Sequence, residues 1–191
     1  MTGAPVGVAR TATRARTRRA ILDAAVTVLC RDPAAALGEI AVEAGVGRTT
    51  LHRYFPERTD LLDGLSRHVL ERIATATERA RTDEGLAVVA LARLCQEYFA
   101  LGDALALIFS DPQIACRPEW SEQTSADRTL LRLVERGHAD GSIDSEVDPL
   151  WAQQLLWALL YASWQHVNDN SVARYDALGH CLRTLRKAFA P

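Results

Sequence analysis

Almost every segment of this chain repeats its apolar residues with the period of an α-helix, and this regularity is the strongest constraint on its fold. Residues 57–81 show the pattern clearly, because Leu62, Leu65, Val69, Ile73 and Ala76 are spaced three or four positions apart. No run of residues alternates between apolar and polar types in the way that a half-buried strand does. The sequence therefore predicts an all-α protein of about nine helices.

Prolines and glycines mark where the predicted helices begin and end. Glycine favours the left-handed conformation that ends a helix, and proline disfavours helix at the residue before it, so Pro33, Gly45 and Pro56 separate the first four helices. The stretch SDPQIACRPEWSEQ contains two prolines and is predicted to be irregular. The predicted helices are 17–30, 37–44, 48–54, 57–81, 86–101, 104–109, 124–138, 149–167 and 171–189.

Charge is distributed unevenly along the 191 residues, although the formal net charge is only −2. Residues 1–69 contain ten arginines and seven acidic residues, whereas residues 70–191 contain twelve basic and seventeen acidic residues. A positive front half and an acidic rear half favour a polyanion as the partner of the front half alone. Half of the arginines in the front half form a basic arm that precedes the first acidic residue: Arg10, Arg14, Arg16, Arg18 and Arg19.

The stretch EIAVEAGVGRTTLHRYF has the pattern of two short helices joined by a tight corner, a helix-turn-helix. Gly45 ends the first helix, Val46 fills the corner and Leu51 anchors the second helix. The second helix is too short and too polar to build a core, so we expect it to stand at the surface, where it can enter a DNA major groove. A solvated helical corner with no partner is the alternative, but the basic arm before the corner and Arg58 after it favour DNA.

We expect the DNA contacts to come from this corner and from the residues that flank it. Side chains that can bond to base edges would face the groove, and the others would lie on phosphates. The groove-facing residues are Arg48, Thr49, Thr50 and Arg53; the phosphate-facing residues are Thr17, Arg18, His52, Tyr54 and Arg58; Gly47 lies at the start of the second helix.

Three segments resemble the TetR family of bacterial transcriptional regulators (TetR/AcrR-like): TRRAILDAAVTVL, LGEIAVEAGVGRTTLHRYFPERTDLLDGL and GHADGSIDSEVDPLWAQQLL. The resemblance implies an all-α homodimer with a DNA-binding domain, residues 1–68, and a ligand-binding and dimerisation domain, residues 69–191. Family members usually repress transcription and leave a palindromic or near-palindromic operator when a small molecule binds. This chain departs from the family pattern at Ala36 and Gly47, where Ser or Thr usually caps the helix, and at His52, where Tyr is frequent.

The last two predicted helices carry the apolar surface that a dimer needs. The last one has a heptad seam, spaced three and four residues apart. The helix before it is apolar on most sides, which is typical of a helix that is buried on two sides. We expect a two-fold, four-helix interface, with packing inside one subunit as the alternative. The seam consists of Tyr175, Leu178, Leu182, Leu185 and Phe189.

All four tryptophans lie in the rear half, which favours a ligand pocket there. Pockets for drug-sized ligands are mostly apolar and contain a few polar groups. We therefore expect a small, largely apolar effector, with the SDPQIACRPEW segment as a mobile flap; aromatic residues that simply fill a core are the alternative. The expected lining residues are Gln96, Phe99, Phe109, Cys116, Trp120, Gln123, Trp157 and Tyr161.

Other functional classes have less support in the sequence. The chain lacks GxSxG, HExxH, GxGxxG and phosphate-loop motifs, and its five histidines lack metal-ligand spacing, so we expect no enzyme activity, no metal and no cofactor. A helical-bundle enzyme would show turnover without DNA affinity. A TetR-like fold that acts only through protein partners would lack salt-dependent DNA binding.

The four cysteines contain no CxxC pair and are predicted to be buried apolar residues, with one exception. Cys116 lies in a polar segment, and its oxidation is the rival signal to a ligand. No apolar leader follows the basic start, and the longest apolar run, residues 150–164, is too short to cross a bilayer. We therefore expect a soluble, cytoplasmic protein.

Overall fold

A computed structural model describes residues 6–191, including the side chains of residues 11–109, 111, 113–114 and 116–191. Every regular element within that part is helical, which confirms the all-α prediction, and nine of the ten α-helices have seven or more residues. Residues 1–5 of the expected first domain and the Arg10 side chain of the basic arm lie outside these ranges. The elements are α1 (Val6–Arg31), α2 (Leu37–Glu43), α3 (Arg48–Tyr54), α4 (Arg58–Arg79), α5 (Ala87–Phe99), α6 (Asp103–Ser110), α7 (Pro112–Ala115), a 3-10 turn (Pro118–Trp120), α8 (Ser125–Asp140), α9 (Pro149–Asn170) and α10 (Arg174–Phe189).

Two helix boundaries differ from the prediction for physical reasons. α1 begins at Val6 instead of residue 17, because arginine and alanine are strong helix formers that continue a helix without any apolar face. α10 begins at Arg174 instead of residue 171, because Ser171 adopts a left-handed conformation, with φ of 55°, that ends α9.

The stretch predicted to be irregular contains α7 and the 3-10 turn. Both of its prolines stand at the first position of a short helix, Pro112 in α7 and Pro118 in the 3-10 turn. Proline is tolerated there because its missing N–H has no partner to lose. The prolines therefore start short helices in this segment.

The N-terminal unit packs α1, α2 and α3 around the first half of α4. The buried side chains include Ile21 from α1, Ile40 from α2 and Leu51 from α3. Gly64 of α4 allows Phe55 to pack closely, because a Cβ there would stand 2.7 Å from a ring carbon of Phe55. The position of α3 is thus tied to the position of α4.

The C-terminal unit packs α5, α8, α9 and α10 together, and the second half of α4 contributes to the same core. Leu94, Val134, Leu156 and Phe189 are among its fully buried side chains. α6 packs against both α9 and α1, so the rear half touches the front half outside α4 as well. Within the described part of the chain, no helix combines the length and the apolarity that a membrane crossing requires.

Candidate nucleic-acid interface and ligand pocket

The exposed face of α3 carries four polar side chains on one side of the helix. Their positions are i, i+1, i+4 and i+5, which places them next to each other on the helix surface. Leu51 is fully buried on the opposite side and holds the helix against the core. Thr50 and Tyr54 are half-buried at the edges of the polar face. The four exposed residues are Arg48, Thr49, His52 and Arg53.

The corner before α3 has the geometry that its glycine implies. Gly45 has φ of 64°, the left-handed conformation that ends α2. The N-cap residues of the two short helices, Ala36 and Gly47, make no side-chain capping bond. At α2 the carboxylate of Glu39 still accepts a hydrogen bond from the Ala36 N–H, at 3.0 Å, so one half of a capping box remains.

Two of the four exposed residues also make contacts inside the domain. The Arg48 guanidinium lies over Gly38 at the start of α2, where a Cβ would stand 2.9 Å from it. His52 Nδ1 lies 3.3 Å from the carbonyl of Pro56. A carbonyl can only accept a hydrogen bond, so Nδ1 carries the proton, and Nε2 of the neutral ring is an acceptor.

The basic arm is a helix that packs against the end of α3. Tyr54 lies between two arginines, with the guanidinium of Arg14 at 5.8 Å and that of Arg53 at 5.7 Å from the centre of its ring. Arg18 lies over the ring of Phe55 at 5.3 Å. The sequence shows that Arg14 is basic but not that it meets Tyr54, because contacts between distant positions have no local pattern.

Arg58 and Thr17, which are both expected to lie on phosphates, have hydrogen-bond partners inside the protein. The Arg58 guanidinium donates hydrogen bonds to the carbonyls of Ala35, at 2.7 Å, and Pro33, at 2.5 Å. These bonds fix the loop between α1 and α2, so the side chain is occupied inside the protein. The Thr17 hydroxyl donates to the Thr13 carbonyl at 3.0 Å within α1. Neither group points freely outwards to a phosphate.

A cluster of aromatic rings lies between α5, α6 and α9. Tyr98 and Trp157 are stacked, with ring centres 5.0 Å apart and planes inclined by 9°. Phe109 meets Trp157 and Tyr161 edge-on, at 6.4 and 5.3 Å. The structure thus brings together three of the expected pocket residues, and Phe99 lines a small cavity beside them.

The cavity beside the aromatic cluster has a volume of about 40 Å³. Ligand pockets for drug-sized molecules usually have several hundred Å³, so the aromatic rings themselves fill the space. A ligand can enter only if the rings separate. Asp103 and Arg174 bring charge to the rim of the cavity.

The other four expected pocket residues do not line this cavity. Gln96, Cys116 and Gln123 are exposed elsewhere on the surface. Trp120 anchors its segment to α4, because its indole N–H donates a hydrogen bond to the Ser66 hydroxyl at 2.8 Å. These four residues lie on the exposed side of α5 or in the segment between α6 and α8, away from the aromatic cluster.

The segment that contains α7 and the 3-10 turn is attached to α4 at two points. Arg117 forms an ion pair with Asp63, one helical turn before the Ser66 that binds Trp120. The sequence predicts a mobile flap in this segment. The described contacts instead make it a brace on the first half of α4.

Tyr98 connects the aromatic cluster to α4. Its hydroxyl lies 2.8 Å from the hydroxyl of Thr77, which in turn donates to the Ile73 carbonyl. Burial disfavours the charged phenolate and raises the pKa of Tyr98 to about 12, and the hydrogen bond with Thr77 acts in the opposite direction. A movement of the Tyr98 ring therefore disturbs its hydrogen bond to Thr77 of α4.

The heptad seam of α10 is divided between the core and the surface. Leu185 and Phe189 are buried inside the chain, so they are unavailable to a second subunit, and this corrects the expected interface. Their inward orientation follows from packing of α10 against α5 and α9. Tyr175 is 85% exposed, and Leu178 and Leu182 are half-buried.

Three large apolar side chains of α9 are exposed. Leu150 and Trp151 at its start are 57% and 59% exposed, and Tyr161 is also exposed. Large apolar side chains that are exposed together often mark an interaction surface. With Tyr175 and Leu182 of α10, they form the apolar surface of the last two helices.

Comparison with known proteins places the chain among regulators. Residues 21–65, which hold the C-terminal part of α1, the helix-turn-helix and the start of α4, match the family described as Bacterial regulatory proteins, tetR family. The HTH-type transcriptional repressor LfrR of Mycolicibacterium smegmatis is 41% identical over 157 residues, which cover 82% of each chain.

Solved structures agree with the sequence comparison. The TetR-like regulator LfrR from Mycobacterium smegmatis in complex with proflavine has a TM-score of 0.76 at 37% identity, covering 92% of this chain and 98% of that one. A TetR family regulator from Marinobacter aquaeolei has a TM-score of 0.74 at 18% identity, over 94% of this chain and 98% of that one, and shares the fold. The chain belongs to the TetR family of bacterial transcriptional regulators.

Proposed function

We propose that this protein is a homodimeric repressor that binds a palindromic operator through α3 and releases it when a small aromatic molecule enters the rear half. One observation carries the DNA-binding part: the exposed polar face of α3, backed by the buried Leu51. Residues 1–68 form the DNA-binding domain in this proposal, and residues 69–191 form the ligand-binding and dimerisation domain. The protein would act in the bacterial cytoplasm, where its operator lies.

The exposed polar face of α3 supports the proposed direct contacts with the operator. Arg48, Thr49 and Arg53 reach base edges in the major groove, and Thr50 lies at the edge of the same face. His52 approaches a base edge through Nε2, which can accept a hydrogen bond from a base amino group, because Nδ1 donates to the Pro56 carbonyl. Arg14 replaces Arg58 as a basic flank, because Arg14 is exposed at the end of α3 whereas Arg58 is bonded inside the domain.

The remaining expected contacts are weaker candidates. Arg18 is half-buried over Phe55 and reaches a phosphate only at the edge of the site. Tyr54 can offer its hydroxyl from between two arginines. Gly47 supports the site through the backbone at the start of α3.

We propose a flat, largely apolar aromatic cation as the class of effector. LfrR, to which this chain is similar, has been solved with proflavine, a planar aromatic cation. Here the parallel Tyr98 and Trp157 rings, 5.0 Å apart, can separate to take a flat molecule between or beside them. Aromatic faces attract cations, and the cavity is lined by the Asp103 carboxylate as well as by the Arg174 guanidinium.

Ring separation would reach the DNA-binding domain through α4. Moving Tyr98 disturbs its bond with Thr77 in the second half of α4, and Gly64 in the first half is packed against Phe55 just after α3. A shift of α4 in both subunits changes the spacing of the two α3 helices. The effector can shift this equilibrium only by its differential affinity for the two positions of α4.

The DNA-binding proposal is tested on the intergenic DNA beside the protein's own gene. We expect tight binding to a palindrome whose logarithmic affinity falls linearly with the logarithm of salt concentration. If Arg53 contacts a phosphate, Arg53→Ala should weaken operator binding and reduce the salt slope by about one. If Arg53 reads a base, the variant should lose about 1–3 kcal/mol of binding free energy and show a relaxed sequence preference. Arg132→Ala, an exposed arginine of α8, is the control and should match the wild type. Absence of salt-dependent binding to any such fragment would contradict the proposal.

The effector proposal is tested with proflavine as the probe. Tryptophan fluorescence and operator anisotropy are followed in the same titration, and we expect quenching and DNA release over one concentration range. Trp157→Leu should lose both responses, whereas Trp120→Phe should retain the quenching because Trp120 lies away from the cavity. A Trp157→Leu protein that responds like the wild type would place the ligand elsewhere.

A further inference from the structure

Two cysteines meet in the interior of the rear half. Cys95 of α5 and Cys181 of α10 are 0% and 2% exposed, and their Sγ atoms lie 3.5 Å apart. Both are free thiols, 86 positions apart in the chain. Among the described side chains they are the one cysteine pair with sulfur atoms in contact.

We propose that Cys95 and Cys181 form a redox-modification site, in which a hydroperoxide converts the two thiols into an internal disulfide and a dithiol reverses the change. This site is separate from the aromatic cluster and from the DNA-binding face. It stands whether or not the protein is a ligand-released repressor.

The two sulfur atoms are in contact, 3.5 Å apart, before any bond forms. A disulfide bond is about 2.05 Å long, so the sulfur atoms must approach by about 1.5 Å. Rotation of the two side chains supplies part of that distance, and a small approach of α5 to α10 supplies the rest. The two helices already pack against each other, so no element has to be rebuilt.

The surroundings of the pair make Cys181 the nucleophile. Hydrogen bonding from Cys95, with a further contribution from the Ser163 hydroxyl, lowers the pKa of Cys181 against the opposing effect of burial. The same contact with Cys181, reinforced by burial, raises the pKa of Cys95. Cys95 therefore stays protonated as the resolving thiol.

The reaction balances in two steps. The Cys181 thiolate attacks the outer oxygen of the hydroperoxide, the O–O bond breaks, and the products are the Cys181 sulfenic acid and an alkoxide that takes a proton to become an alcohol. The Cys95 thiol then attacks the Cys181 sulfur, the S–O bond breaks and water leaves with the thiol proton. Two electrons pass from the two thiols to the hydroperoxide.

A groove between α5 and α10 leads towards the pair. It has a volume of about 260 Å³ and is lined mainly by apolar side chains, among them Leu91 and Leu185. Leu91 precedes Cys95 by one helical turn and Leu185 follows Cys181 by one turn, so the groove lies about one turn away from the two cysteines along α5 and α10. An apolar entrance favours an organic hydroperoxide over hydrogen peroxide.

The remaining thiols lack these features. Cys116, the residue that the sequence singles out for oxidation, is exposed in the segment between α6 and α8, and no second sulfur is in contact with it among the described residues. Cys30 is half-buried, and burial raises its pKa. Neither can form a disulfide within one described subunit without a large movement.

The test treats the reduced full-length protein with cumene hydroperoxide and, in parallel, with hydrogen peroxide, followed by non-reducing peptide mapping. We expect a cross-linked pair of peptides containing Cys95 and Cys181, a mass lower by two hydrogen atoms, and full reversal by dithiothreitol. The Cys30→Ser/Cys116→Ser double variant should form the same cross-link, and Cys181→Ser should not. The organic hydroperoxide should react faster than hydrogen peroxide.

The wild-type measurement alone can overturn the proposal, even if a cysteine variant fails to fold. Recovery of Cys95 and Cys181 as free thiols, or as sulfinic acids without a cross-link, while Cys116 is oxidised would do so. The same oxidation in denaturant is the matched control, because an unfolded chain with four cysteines gives mixed pairings. If the native protein gave the same mixture of disulfide pairings as the denatured protein, that result would also contradict the proposal.

Discussion

At the scale of single residues, arginines that look equivalent in the sequence have different roles. Arg53 points outwards from α3, whereas Arg58 donates to two carbonyls of the loop before α2. Arg58→Ala should therefore lower the free energy of unfolding by about 1.5–3 kcal/mol, the range for a hydrogen bond to a charged group. The salt dependence of operator binding should stay that of the wild type, in contrast to Arg53→Ala.

Urea unfolding and binding titrations at several salt concentrations check this prediction. Arg58→Lys is the matched variant, because it keeps the charge and loses the two-pronged donor geometry. It should be nearly as destabilised as Arg58→Ala. If Arg58→Ala were as stable as the wild type and its operator affinity depended less steeply on salt concentration, Arg58 would contact a phosphate after all.

Tyr98 gives the protein a specific sensitivity to alkaline pH. Its pKa is raised to about 12 in the folded state, against an ordinary value near 10. The stabilisation is fully present below about pH 10 and is lost as pH rises to about 12, because the unfolded chain releases the proton first. The loss amounts to at most about 3 kcal/mol, from two pKa units at about 1.4 kcal/mol each.

The comparison of Tyr98→Phe with Tyr175→Phe isolates this effect. Tyr175 is 85% exposed, so its replacement should leave the alkaline decline unchanged. Tyr98→Phe should be less stable at neutral pH, because Thr77 loses a partner, and should decline less between pH 10 and about 12. Equal declines in both variants would show that Tyr98 is not the group responsible.

At the scale of elements, the last two helices divide their apolar residues between the core and the surface. We expect Trp151→Arg and Leu182→Arg to give folded monomers, because both residues lie on the surface that the proposed dimer buries. Leu185→Ala should instead cost about 2–5 kcal/mol of stability and leave the folded protein dimeric, since it opens a cavity in the core. Light scattering and thermal unfolding separate the two outcomes. If Leu185→Ala dissociated the dimer without lowering its stability, the subunit interface would include the buried residues of the α10 seam.

The types of helices were predictable from the sequence, and their partners were not. Apolar periodicity, Gly45 and Pro56 located α3 within its observed bounds, because these are local properties of the chain. The start of α1 was missed, because a helix made of good helix formers needs no apolar stripe. The inward rotation of Leu185 was missed because periodicity defines a face but not what covers it.

At the scale of the whole molecule, α4 contacts each of the regions that the proposed mechanism uses. It contacts Phe55 near α3, holds Trp120 and Arg117 through Ser66 and Asp63, and reaches Tyr98 through Thr77. These contacts join positions 9 to 54 residues apart. A single sequence carries no local pattern for contacts between such distant positions. The sequence could therefore predict a DNA-binding half and a ligand-binding half, but not the contacts that couple them.

Loosening the brace between Trp120 and Ser66 should make α4 easier to move. We expect Trp120→Phe to bind proflavine with nearly wild-type affinity but to release the operator at a lower proflavine concentration, by about 2- to 30-fold, which is the range for a coupling change of 0.5–2 kcal/mol. Glu122→Gln, an exposed change in the same segment, is the control. Superimposable release curves for Trp120→Phe and the wild type would show that the brace has no part in the response.

The unbroken α1 has a consequence for how much DNA the protein covers. Among the described side chains of α1, full burial begins at Ile21, and the 15 residues from Val6 to Ala20 form a rod of helix about 22 Å long. At 3.4 Å per base pair, a rod laid along the duplex shields about six base pairs beyond the groove that α3 occupies. A nuclease footprint should therefore extend past each half-site by about that length and shrink inwards when residues before position 14 are removed. The protected length of the operator would then be set partly by the length of a helix that reads no bases.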